Sequence, residues 1–196
     1  MKKWTVWLVA LVLLAACDDG TKKEYWENGK PKSELHYENG MLNGDCQWYD
    51  PSGVLVKKAH YHDDVLEGDF TTWHPNGKLA SEEHYANGKL DGEVRKWYDN
   101  GQLFQEGQYA DGMMDGLWLI YYPSGALASK ADYQKGTGKQ VCYEESGYKC
   151  LEVPYVDNVK HGREIYYNPD GRVTKIVEYE HGKVVKEDNQ PETGME

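Results

Sequence analysis

No apolar run in this sequence is long enough to cross a bilayer: the longest, Trp4 to Ala16, has 13 residues, whereas a spanning helix needs about 20. Phenylalanine is nearly missing, two residues against 16 tyrosines and seven tryptophans. Almost every aromatic ring therefore carries a polar handle that wants water or a partner, which suits a thin, half-wet sheet better than a dry sandwich. Positive charge is scarce as well, with 22 Lys and Arg against 33 Asp and Glu and a net charge of −11. Nucleic acid is thereby excluded as a partner, because its phosphates reward basic patches, and direct docking on an anionic leaflet is disfavoured. Basic proteins, cations and neutral glycans remain. The sequence contains no nucleophile elbow, phosphate-binding loop, HExxH or CxxC, and its carboxylates are spread through repeated positions. It reads as a non-enzyme without cofactor or metal.

What the chain does have begins at its first residues. Lys2 and Lys3 precede the apolar run, which closes on Leu14-Ala15-Ala16-Cys17. This segment reads as a signal peptide ending in a lipobox and resembles that of bacterial lipoproteins. The resemblance implies cleavage after Ala16, lipidation of Cys17 and a mature chain held to the lipid bilayer by several acyl chains, since a single chain anchors only marginally. Asp18-Asp19 resembles an inner-membrane retention signal, so the expected location is the periplasmic side of a cell membrane, the inner one favoured over the outer. The expected division is a signal peptide at 1–16, a lipidated linker at 17–21, a repeat array at 22–185 and a disordered polar tail at 186–196.

The array announces itself through glycine. Gly29, Gly53, Gly77, Gly101, Gly125, Gly147 and Gly171 are 24 residues apart except for one spacing of 22. A second set, Gly44, Gly68, Gly92, Gly116 and Gly162, follows 15 residues behind, with Gly138 two residues early. Between them come Gly40, Asp64, Gly88, Gly112, Gly136, Asn158 and Gly182, residue types that tolerate positive φ. Each unit thus holds two turns separated by runs of strand length. The runs alternate as strands do: Leu79, Ser81, Glu83 and Tyr85 on one face, Lys78, Ala80, Glu82 and His84 on the other. The predicted fold is all-β, an elongated antiparallel meander of about seven 24-residue β-hairpin repeats after a cleaved signal peptide, with fourteen strands. A leucine-rich horseshoe is rejected because its LxxLxLxx(N/C)xL pattern is missing.

Two aromatic columns run through the units. Tyr37, Tyr61, Tyr85, Tyr109, Tyr133, Tyr155 and Tyr179 stand eight residues after each first glycine. Tyr25, Tyr49, Trp73, Trp97, Tyr121, Tyr143 and Tyr167 stand four before it. As ladders across a sheet they are the expected glue, at about 0.2–1 kcal/mol per cross-strand pair, or a row of planar rings for sugars or an extended peptide; both readings stay open. His36, His60 and His84 share one offset, but equivalent residues two strands apart lie about 9.6 Å from one another, too far to share a zinc, so they read as a solvated face. Of the three cysteines after Cys17, Cys142 and Cys150 flank the turn of unit six and are predicted to form a disulfide if a bulge brings them opposite one another, leaving Cys46 free.

Units such as WHPNGKLASEEHYANGKLDGE and WYDNGQLFQEGQYADGMMDGL resemble bacterial variant MORN repeats. The resemblance implies an elongated hairpin meander of the kind found in bacterial lipoproteins and in antitoxin or immunity proteins, with no shared catalytic residues. The departures are Asp63-Asp64 in unit two, the shortened Gly136-Thr137-Gly138 turn in unit five and the cysteine-bearing unit six. The function expected is a membrane-anchored, non-catalytic scaffold binding a protein or glycan partner in the cell envelope. The alternative is an immunity lipoprotein that neutralises a cognate toxin.

Overall fold

Alternating side chains interrupted at short intervals by residues free to take positive φ leave the chain one outcome, a succession of hairpins. The computed structural model describes residues 20–189, and they form one antiparallel sheet of 18 strands. In chain order these are β1 (Gly20–Tyr25), β2 (Pro31–Glu38), β3 (Met41–Leu42), β4 (Gly44–Tyr49), β5 (Leu55–His62), β6 (Val65–Trp73), β7 (Leu79–Ala86), β8 (Lys89–Leu90) and β9 (Gly92–Trp97). There follow β10 (Leu103–Ala110), β11 (Met113–Tyr121), β12 (Leu127–Gln134), β13 (Thr137–Tyr143), β14 (Lys149–Val156), β15 (Val159–Lys160), β16 (Gly162–Tyr167), β17 (Val173–Glu180) and β18 (Lys183–Asn189). The short β3, β8 and β15 each run into the next strand after one residue, Asn43, Asp91 or His161, so the sheet has fifteen rungs. Among the described residues no helix is long and apolar enough to cross a membrane.

One turn of each unit is a two-residue link with both residues at positive φ, such as Asn39 and Gly40 at 53° and 78°, or Asn87 and Gly88 at 51° and 76°. Its twist matches that of the flanking strands. Lys135 and His181 take the first of these positions at 49° and 46°, a conformation non-glycine residues seldom adopt. The same turns stitch one unit to the next: the N–H groups of Gly88, Gly112 and Gly182 donate to the carbonyls of Leu66, Leu90 and Lys160 at 2.9, 2.8 and 2.8 Å. On the opposite rim Trp26 Nε1 donates to the Tyr49 carbonyl at 3.0 Å, and the hydroxyls of Tyr98 and Tyr122 donate to those of Tyr121 and Tyr143 at 2.8 Å each.

The array extends further than its sequence indicated. Residues 186–189 are not tail but the end of β18, with Asp188 paired to Ile176 and Asn189 to Lys175. This strand escaped notice because all seven of its residues are exposed, so selection for burial leaves no alternation to read. The predicted signal peptide, Cys17, Asp18-Asp19 and residues 190–196 lie outside the described residues.

Candidate functional site

Register decides what each face presents. Tyr61, Tyr85, Tyr109, Tyr133 and Tyr179 lie directly opposite Gly44, Gly68, Gly92, Gly116 and Gly162. That explains the fixed offset of the second glycine set: a bare backbone leaves room for the ring beside it. On their other flank Tyr37, Tyr61, Tyr85 and Tyr109 meet Leu42, Leu66, Leu90 and Met114. The shortened turn of unit five brings Gly138 to that flank of Tyr133, so this tyrosine has glycine on both sides and is 5% exposed. The other tyrosines of the column are half-buried.

Beneath the column runs a row in which large residues sit between small ones. Cys46 faces Ala59, and Ala59 faces Phe70; Trp118 lies between Gly107 on β10 and Ala131 on β12. A Cβ added to Gly107 would sit 2.2 Å from the Trp118 indole, so the ring occupies the space a side chain would need. Trp118 Nε1 donates to the Gln108 carbonyl at 3.0 Å. Trp48, Phe70 and Trp118, which the column arithmetic did not single out, are the aromatics the column tyrosines touch. Trp48–Tyr61, Phe70–Tyr85 and Tyr109–Trp118 meet edge to face at 6.4, 5.7 and 4.9 Å. Tyr133 and Tyr155 meet at 5.9 Å.

The second column lies on the opposite face. Tyr49 shares the side of Gln47, to which its hydroxyl donates at 2.5 Å, and the Tyr121 hydroxyl donates to Glu106 at 3.0 Å. Tyr25, Tyr49, Trp73, Trp97 and Tyr121 pair with Pro31, Leu55, Leu79, Leu103 and Leu127 just beyond a register shift at each hairpin. The two columns are therefore separate ladders rather than one surface.

The face that carries this second column is largely charged. Asp45 pairs with Lys58 and His60 at 2.8 Å each, and Asp69 with His84 at 2.9 Å. The hydrogen bond from Lys58, then that from His60, holds the Asp45 carboxyl below its ordinary value. His36 contacts Thr21 at 3.1 Å, so each histidine of the column has its own cross-strand partner. Among the described residues no three ligating side chains converge on a metal position.

The tyrosine face offers chemistry of another kind. Burial pushes the Tyr85 phenol up to about 12, helped by its hydrogen bond to Glu83, and burial also raises Tyr109, Tyr133 and Tyr155. These hydroxyls stay protonated at neutral pH, as donors rather than nucleophiles. A hollow of about 160 Å³ opens between Gln105, Tyr109, Met114, Trp118, Tyr133 and Tyr155. With amide groups beside rings, it can take an apolar edge and hydrogen-bond its polar rim.

The predicted Cys142–Cys150 bond is not formed: both are free thiols, as is Cys46. Cys142 faces Leu151 while Tyr143 faces Lys149, and the register shift between these pairs leaves Cys150 without a place opposite Cys142. The bulge removes the pairing it was expected to provide. Burial raises both thiols above their ordinary value, and Cys46 is fully buried. Alkylation of the denatured, unreduced chain is accordingly expected to add one group at each of Cys46, Cys142 and Cys150, whereas in the folded chain Cys46 stays unmodified. Intact mass reads both; a chain that alkylates fully only after reduction would contradict the free thiols.

Residues 18–39, 42–63, 66–87, 90–111 and 114–135 each match the MORN repeat variant, and each match from 42 onward runs from one two-residue turn to the next. The chain belongs to the MORN repeat variant family. The five matched MORN segments cover more than half of the chain, and the same strand pattern continues past them to Asn189. MORN repeats of this kind form a scaffold. A comparison with curated protein sequences found no match.

Proposed function

We propose that this MORN repeat protein is a non-catalytic scaffold, held in the cell envelope by lipid on Cys17, that binds a protein or glycan partner on its tyrosine face. The observation that carries the reading is the open single layer: no second layer covers the column among the described residues, and six of its seven tyrosines remain half-buried. Rings left half in water beside amide and hydroxyl groups suit extended peptides and sugars. The sorting of Cys17 rests on Leu14-Ala15-Ala16-Cys17 and the lysines before the apolar run.

A photo-crosslinking residue at Tyr61 is expected to yield an envelope adduct, or the chain to be retained on purified cell-wall glycan. The same residue at Leu117, on the charged face, should yield no adduct. If neither an adduct nor retention is found, the proposal fails, and an adduct with a toxin encoded beside this chain would narrow it to immunity. An alkyne fatty acid is expected to label the wild-type chain and to leave Cys17→Ser unlabelled. Label persisting in that variant would remove the anchor from the reading.

A further inference from the structure

The two edges of the sheet differ in chemistry, and the difference points outward. β18 bonds to β17 on one side, and among the described residues no strand is registered on its other side, whose backbone donors and acceptors are a template for another strand. Val184 and Val185 are 55% and 52% exposed on it, and Val173 on the adjoining β17 is 38% exposed. Adjacent β-branched residues favour strand pairing and gain nothing from water. The opposite edge, β1, reads Gly-Thr-Lys-Lys-Glu-Tyr, with two adjacent lysines and no aliphatic side chain.

We propose that β18 is a self-association edge, on which a second copy of this chain adds its own β18 antiparallel, making a closed two-fold dimer. Three arguments select this occupant. First, neighbouring rungs alternate in direction and there are fifteen of them, so β1 and β18 point the same way. Head-to-tail stacking would then be parallel, or would turn the tyrosine face of each copy to the opposite side. Pairing β18 with β18 is antiparallel and keeps both tyrosine faces on one side of a continuous sheet. Second, the charges of β18 are polar along its length, Lys183 and Lys186 preceding Glu187 and Asp188. The register shift that leaves Val185 as an extra residue puts Lys183 and Asp188 on one face, so an antiparallel copy related by a two-fold axis normal to the sheet lays the basic half of one strand over the acidic half of the other, with Lys183 opposite Asp188. The existing pairs Lys186–Asp188 and Lys175–Glu187, at 2.6 and 2.7 Å, are exposed and readily exchanged. Third, the same operation on β1 would bring Lys22 and Lys23 against their own copies, which repels.

A pair of seven-residue strands buries less than the roughly 1,000 Å² of a persistent interface, so the dimer is a reversible one. The symmetry is isologous, and assembly stops at two. Sedimentation equilibrium of the full chain in density-matched detergent should show mass rising with concentration towards twice that of the monomer and no further. Val185→Lys should weaken the dimer at least tenfold without changing the circular dichroism of the sheet. Lys183→Glu and Asp188→Lys should each weaken it several-fold, and the two together should recover it. A monomer at every concentration, growth beyond the dimer, or association indifferent to all these variants would overturn the proposal.

Discussion

Tyr133→Ala is expected to lower the free energy of unfolding by about 3–5 kcal/mol, the cost of emptying a packed aromatic site. Tyr133 is 5% exposed and packs in one cluster with Trp118 and Ala131, its ring edge-on to Tyr155. It leans over Gly138, where an added Cβ would lie 2.8 Å from the ring. The two positions directly opposite are glycines, with no side chain of their own to fill the space. Tyr25→Ala, at a ring 59% exposed, is expected to stay within about 0.5 kcal/mol of wild type. Urea unfolding by linear extrapolation measures both. Equal losses at the two positions would mean that the aromatic residues contribute by type rather than by burial, and a near-neutral Tyr133→Ala would remove this tyrosine from the core.

Gly107→Ala should prove costly for the opposite reason. Its backbone is extended, so no positive φ explains the glycine; the Trp118 indole does, with ring atoms 2.2, 2.5 and 2.6 Å from the place of a Cβ. A single methyl group must push the indole off the strand and break its hydrogen bond to Gln108, an overpacking cost of about 1–3 kcal/mol. Trp118→Leu in the same chain should return part of that loss, because the smaller side chain vacates the site. A double-mutant cycle between the two positions should then give a coupling of about 1 kcal/mol or more, and additive effects would show that the clash is relieved elsewhere. Gly77 makes the contrast: nothing lies within 4 Å of its Cβ position, and its φ of +79° alone requires glycine.

The two glycines illustrate which parts of this fold could be read in advance. Turn glycines recur because backbone angle admits few residue types, and the Tyr column recurs because each ring needs the glycine opposite; both constraints leave the same letter in every unit. Trp48, Phe70 and Trp118 obey a looser rule, that a large residue needs a small neighbour. The row of Phe70 and Trp118 also holds Cys46, Val94, Gln140 and Glu164, so no letter repeats. The placement of the second column on the other face, and the missed pairing of Cys142 with Cys150, have one cause. The hairpin closed at each unit's first glycine contains a register shift beside its turn, and counting outward from that glycine loses parity there. The last strand was hidden because, exposed on both sides, it keeps no alternation.

The strictly sequential pairing of rungs also settles how the array would carry load. Its described ends, Gly20 and Asn189, stand on opposite edge strands, and each rung is bonded to its immediate neighbours. Tension drawn between the ends therefore falls on the outermost rung and peels hydrogen bonds in turn rather than shearing many at once. One 24-residue unit, once peeled, pays out about 80 Å of extended chain. The sheet behaves as a coiled tether, yielding length in repeated small steps while the units not yet reached keep their shape.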